Sequence, residues 1–170
     1  ALAVGHVDPL DVGYVEAHGT GTALGDPIEA HALDAVLGRG RSADNPLVIG
    51  SVKTNAGHLE AAAGIAGLIK TVLSLQAERI PPHLHFHELN PHIRWDDSPM
   101  EIPVDGRDWR VGARKRIAGV SAFGFSGTNA HIIVEEAPPP DVRSPIADRS
   151  SQILTLSART PEALDALVRR

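Results

Sequence analysis

Two histidines stand beside small residues at the ends of predicted strands. His18 opens His18-Gly19-Thr20-Gly21-Thr22 after a β-rich run at 11–17, and His58 closes Lys53-Thr54-Asn55-Ala56-Gly57-His58 after an apolar run at 47–52. An imidazole so placed approaches a ligand without steric competition and can donate a hydrogen bond or accept a proton near neutral pH. A third glycine-rich turn, Ala122-Phe123-Gly124-Phe125-Ser126-Gly127, follows a strand-like run at 116–121. Turns of this kind at strand ends are how α/β folds assemble a site. A helix is predicted to start at His58, and its positive end would disfavour imidazolium, leaving a neutral ring that donates to a developing oxyanion. Cysteine is absent from the 170 residues, which excludes disulfides, thiolate metal sites and a thiolate nucleophile within this chain.

The elements that must hold these turns can be read from the pattern. Asp26-Pro27-Ile28-Glu29 has the form of a capping box with proline at the first helical position, which predicts a helix over 27–37 and makes both acids structural. Residues 58–77 are apolar nearly all round, with Glu60, Lys70, Thr71 and Ser74 as exceptions, so that helix should be buried. Its Ala61-Ala62-Ala63-Gly64 and Ala66-Gly67 segments remove bulk and let neighbouring backbone come close. Residues 81–103 are proline-punctuated and irregular, and 116–121 pairs with 128–135 as an antiparallel hairpin. Pro138-Pro139-Pro140 marks a linker. Beyond it lie a strand-like run at 153–157 and a helix opened by Thr160-Pro161-Glu162.

Composition narrows the function classes. Hydrophobic residues make up 42%, aromatic residues only 4%, and the formal net charge is -5, so neither a stacking platform nor an electrostatic footprint for nucleic acid is present. The apolar stretch 61–69 is far short of the roughly 20 residues that span a bilayer. Ala1 to Val4 is a short apolar stub that soon meets His6, Asp8 and Asp11 rather than a secretory leader, and a cytoplasmic location is expected.

Three blocks, in order, closely resemble the ketosynthase family: Val15-Glu16-Ala17-His18-Gly19-Thr20-Gly21-Thr22 with Gly25-Asp26-Pro27, then Lys53-Thr54-Asn55-Ala56-Gly57-His58, then Gly124-Phe125-Ser126-Gly127-Thr128-Asn129-Ala130-His131. The segment from Leu154 to Leu164 resembles the linker toward an acyltransferase domain in modular type I polyketide synthases. The resemblance implies an α/β thiolase-like fold with a mixed sheet, of which this chain is the second repeat. Residues 1–137 would be the C-terminal half of the ketosynthase and 138–170 the linker region. The implied activity is decarboxylative condensation of an acyl thioester with malonyl- or methylmalonyl-acyl carrier protein. By the same resemblance His18 and His58 are the catalytic histidines and Lys53 supports their network. Thr20 and Thr22 contact the pantetheine arm, and Phe123, with Gly124, is the gate whose backbone N–H lines an oxyanion hole. No cofactor is expected on the chain itself, phosphopantetheine being carried by the acyl carrier protein. Expected partners are the cysteine-bearing N-terminal half, the carrier protein, the acyltransferase domain and a second copy in a homodimer.

Each assignment has a plainer competitor. Thr20 and Thr22 could satisfy turn amides, Phe123 could be core filling, and Glu60, a conjectural partner of Lys53, could be a first-turn helix charge. His131 reads as hydrogen-bonded scaffolding. His83-Leu84-His85-Phe86-His87 would put three imidazoles on one face if extended, but no cysteine or clear acidic fourth ligand accompanies them, and no metal is expected. A coenzyme A-dependent thiolase relative is the fold-level rival. Both ends of the sequence fall within helix-like patterns, which suggests a truncated chain, inactive alone, with a truncated non-catalytic docking module as the alternative. Without a covering partner the 59–77 helix would expose an apolar patch, and the isolated chain is expected to associate or precipitate.

Overall fold

Strands form where the sequence alternates or runs apolar. In the computed structural model, which describes residues 1–95, 98–112, 114–138 and 158–168, these are β1 (Val12–Glu16), β2 (Leu47–Gly50), β3 (Arg79–Ile80), β4 (Met100–Glu101), β5 (Arg107–Asp108), β6 (Ile117–Phe123) and β7 (Asn129–Glu135). The helices are α1 (Leu2–Gly5), α2 (Gly25–Leu33), α3 (Lys53–Ala56), α4 (Ala63–Gln76) and α5 (Pro161–Val168). Residues 1–136 and 137–170 are separate compact units. In the second, Thr160 Oγ1 accepts the Ala163 N–H at 3.2 Å, the capping expected there. The strand-like run at 153–157 lies outside the described residues.

The first unit is built on a mixed five-stranded sheet in the order β4-β2-β1-β6-β7, in which β1 pairs parallel with β2 and β6, and β6 and β7 form the expected antiparallel hairpin. A bulge between Val12 and Tyr14 shifts the register against β6. One extra residue inverts the pleat. Val12 and Val15 therefore share one face, packed against Leu33, Leu37, Leu47 and Ile117, while Tyr14 joins Val48, Ile80 and Ala118 in a second buried cluster. Each such aliphatic side chain, fully buried, contributes about 1.5–3 kcal/mol.

The 3.6-residue pattern mislocates two helix starts. The helix predicted over 27–37 begins at Gly25, without a side-chain cap, and passes into a π turn, Asp34–Gly38. The helix predicted from His58 begins at Ala63, after a single 3-10 turn, Glu60–Ala62. Gly57 at φ 74 and Glu60 at φ 49 take left-handed backbone, which an α-helix cannot propagate. His58 therefore has no helix start beneath it.

Helix α4 packs small residues inward. Ala63, Gly67, Thr71, Ser74 and Leu75 are buried, and the Thr71 and Ser74 hydroxyls are satisfied by the carbonyls of Gly67 (2.9 Å) and Lys70 (2.8 Å). A Cβ at Gly67 would lie 3.0 Å from Glu16 Cγ, and one at Gly64 3.1 Å from Ala122 Cβ. Leu75 apart, large apolar side chains point outward, with Ile65 54%, Ile69 53% and Leu73 56% exposed.

Candidate active site

Because β1, β2 and β6 run parallel, their C-terminal ends share one edge of the sheet. Such an edge is where α/β sheets assemble ligand sites. Glu16 lies opposite both Gly50 and Val120, so the residues that follow in each strand emerge side by side. The three turns expected from the sequence do converge. The rings of His18 and His58 meet edge-on, centroids 5.4 Å apart, and the Phe123 ring lies 5.3 Å from that of His18.

Both imidazoles have their Nδ1 atoms turned to backbone amides. The Phe123 N–H donates to His18 Nδ1 over a long 3.4 Å, and the Glu60 N–H donates to His58 Nδ1 at 3.1 Å. A backbone amide can only donate, so each Nδ1 must be unprotonated and each neutral ring carries its proton on Nε2. Partial burial lowers the pKa of His18, and the positive Lys53 and neighbouring His58 add to this against a smaller opposing effect of Asp26. With Nδ1 occupied, the arrangement presents Nε2–H donors, suited to stabilising an enolate or thioester oxyanion. The helix start expected to disfavour imidazolium at His58 is absent, and what the fold supplies there is an amide contact that fixes the tautomer of the neutral ring. The left-handed backbone of Glu60 brings that amide into place, local strain of the kind found at functional sites.

The two acids assigned to a capping box do other work. Buried Glu29 reaches back from α2, its Oε1 accepting the His18 N–H at 2.8 Å and its Oε2 the Gly19 N–H at 3.0 Å. Burial raises its pKa, and those two amides oppose the rise. Asp26 Oδ1 accepts the Gly21 N–H at 3.1 Å. Helix α2 thus clamps the His18 turn through two carboxylates. Gly19 (φ 46) and Gly21 (φ 74) supply the positive φ that this turn requires.

Lys53 stands at the start of α3. Burial lowers its pKa, and Glu16, Glu29 and Asp26 oppose that fall by their negative charge. The conjectured pairing with Glu60 does not form. Thr20 and Thr22 lie on the rim with hydroxyls 3.5 Å apart, and Thr22 Oγ1 also accepts the Gly25 N–H at 3.0 Å, so part of its role is to start α2. Phe123 is 37% exposed, and its amide is directed at His18 rather than open to a ligand. The Gly124 N–H is used within the hairpin, on the Thr128 carbonyl at 2.7 Å.

His131 is scaffolding, as expected. It sits across from Ser121, whose Oγ is 2.9 Å from its Nδ1, and its ring packs on Gly119, where a Cβ would lie only 2.9 Å away. The zinc reading of 83–87 required an extended segment, whereas residues 84–85 form a turn and His85 has φ 57. Among the described residues no group of three or more histidine, aspartate or glutamate side chains is placed to hold a metal.

Sequence reasoning missed Glu16. On the central strand and 1% exposed, its Oε2 accepts from Tyr14 Oη at 2.5 Å and Lys70 Nζ at 2.8 Å, while its Oε1 accepts the Val52 N–H. A glutamate inside an apolar strand and a lysine inside an apolar helix were the available signals, since neither is buried unless paired.

Residues 1–87 match the family described as beta-ketoacyl synthase, C-terminal domain, and residues 90–170 match the ketoacyl-synthetase C-terminal extension. The chain is 54% identical over 156 residues to erythronolide synthase EryA3 of Saccharopolyspora erythraea, covering 92% of this chain and 5% of that protein. It is 49% identical over 172 residues to the spectinabilin polyketide synthase system protein NorC of Streptomyces orinoci, covering 98% of this chain and 8% of that one. Among solved structures, ketosynthase twelve from the bacillaene polyketide synthase of Bacillus amyloliquefaciens superposes with a TM-score of 0.75 at 41% identity, over 81% of this chain and 25% of that chain. The ketosynthase from module 6 of the Bacillus subtilis bacillaene synthase gives the same four values. The chain therefore has the α/β thiolase-like fold of ketosynthases and spans a small part of its relatives' length. No described helix is long and apolar enough to cross a membrane.

Proposed function

The chain belongs to the family of β-ketoacyl synthase C-terminal domains, and from that premise we propose that it supplies the two-histidine half of a ketosynthase active site in polyketide chain extension. The observation that carries this reading is the pair of imidazoles in edge-on contact with amide-bound Nδ1 atoms. Since the chain has no cysteine, the nucleophile comes from the N-terminal half of the ketosynthase. That cysteine takes the acyl chain from a pantetheine thioester. A malonyl or methylmalonyl thioester on the acyl carrier protein then loses carbon dioxide. Its carboxylate C–C bond breaks, and the electron pair passes to an enolate whose oxygen receives hydrogen bonds from His18 and His58 Nε2–H. The enolate carbon attacks the acyl-cysteine carbonyl, and the cysteine thiolate leaves.

In this reading Lys53 adds its positive charge to the burial that lowers the pKa of His18, Thr20 and Thr22 contact the pantetheine arm, and Phe123 and Gly124 gate the acyl site. The phosphopantetheine belongs to the carrier protein, and residues 138–170 lead toward an acyltransferase domain in a cytoplasmic, homodimeric synthase. The chain is inactive alone. The outward apolar residues of α4 favour one second reading, a non-catalytic docking module.

Carbon dioxide release from a malonyl thioester, measured after this chain is joined to a cysteine-bearing half, separates the two. Catalysis is expected, with His18→Ala and His58→Ala each lowering kcat by about 100- to 1,000-fold, as for lost oxyanion donors. Assembly without turnover supports the docking module. Unchanged rates in both variants refute the mechanism.

A further inference from the structure

We propose that Glu16 is a positioning residue for Lys53 and His58, its carboxylate fixing the Val52 amide and so the turn that carries both groups. The inference rests on the ketosynthase reading of that site. Strand β1 ends at Glu16, two residues before His18, with its side chain on the α4 side of the sheet. Lys70 Nζ donates to both Glu16 Oε2 (2.8 Å) and Tyr14 Oη (3.0 Å), and Tyr14 donates to the same carboxylate. The other oxygen holds the Val52 N–H.

Two glycines on different elements make room for this network. A Cβ at Gly50 of β2 would sit 2.8 Å from Tyr14 Oη and 3.2 Å from Lys70 Nζ, and one at Gly67 of α4 would sit 3.0 Å from Glu16 Cγ. A well-packed apolar cluster of the same volume would stabilise the fold at least as well, because a buried ion pair barely offsets its desolvation cost. What an apolar cluster cannot supply is a directed acceptor for one amide. That amide belongs to the residue preceding α3, a four-residue helix that leads through Gly57 to His58. A single turn has almost no stability of its own. The anchor at Val52, just before it, therefore decides where Lys53 projects and where the His58 loop begins.

The test uses the ketosynthase assembled with its cysteine-bearing half and follows malonyl thioester decarboxylation. Glu16→Ala with Lys70→Met removes the acceptor without leaving a buried cation. It is expected to lower kcat about 100-fold with KM within about threefold, the signature of misplaced catalytic groups rather than lost binding. Glu16→Gln with Lys70→Met keeps an acceptor for Val52 in an equally neutral site and should return kcat to within about tenfold of the parent. The proposal is overturned if the Ala/Met enzyme keeps kcat within about threefold of the parent, or if the Gln/Met enzyme is no faster than Ala/Met. His58→Ala in the same assay separates the two readings. If that variant is also unimpaired the ketosynthase reading itself fails, whereas a dead His58→Ala beside active Glu16 variants removes only the positioning role.

Discussion

Lys70→Met should be among the most destabilising single substitutions in the chain, and its partner variant should undo most of the damage. The Lys70 and Glu16 side chains are 12% and 2% exposed and lie 2.8 Å apart. Removing the ammonium leaves a buried carboxylate with only the Tyr14 hydroxyl and the Val52 amide. Breaking such a pair from one side costs about 3–5 kcal/mol. At about 2–4 °C per kcal/mol for 150–250 residues, and less for a larger assembly, the unfolding midpoint should fall by at most about 6–20 °C. Glu16→Gln alone leaves Lys70 buried without its counter-charge and should cost a comparable amount. In Glu16→Gln/Lys70→Met no charge remains, and the loss should shrink to about 1–2 kcal/mol. Thermal unfolding of the parent, both single variants and the double variant in the assembled ketosynthase closes the cycle. A Lys70→Met cost below about 1 kcal/mol, the range of exposed pairs, would refute the account of a desolvated network.

Two further outcomes follow from the same geometry. Burial leads the fall in pKa of His18, His83 and His131, so the folded chain binds fewer protons than the unfolded chain just below the ordinary histidine value of 6.5. Stability from these groups is present above pH 6.5 and is lost as pH falls through their lowered folded values. His131→Gln should flatten the decline in unfolding midpoint between pH 7 and pH 5; an unaltered slope would remove His131 from the linkage. The isolated chain should self-associate through Ile65, Ile69 and Leu73, spaced along one face of α4, and Ile69→Glu should weaken this in sedimentation. A monodisperse, stable monomer would contradict it.

The site was legible where its signals are local. Glycines with positive φ, a terminal histidine and an apolar run each report on a few neighbouring residues, and these placed His18, His58, Lys53 and the Phe123 turn at strand ends. The hairpin of β6 with β7 and the Thr160 cap were readable for the same reason. The start of α4 was not, because helical spacing continues through 58–62 while Gly57 and Glu60 take left-handed backbone. Asp26 and Glu29 were misread because a capping box and a pair of carboxylates reaching back to the preceding turn have the same spelling.

Residue order alone establishes that two histidine turns and a third glycine-rich turn exist, that the chain holds no thiol, and which family blocks they form. The proton positions and the charges around them are settled only in the folded chain. The Phe123 amide that sets the His18 tautomer is 105 residues away from it in sequence, and the Val52 amide held by Glu16 is 36 residues away from Glu16. Such pairings depend on strand order and on the bulge at Gly13. A period-2 pattern says which residues share a face of a strand, but not which strand lies beside it.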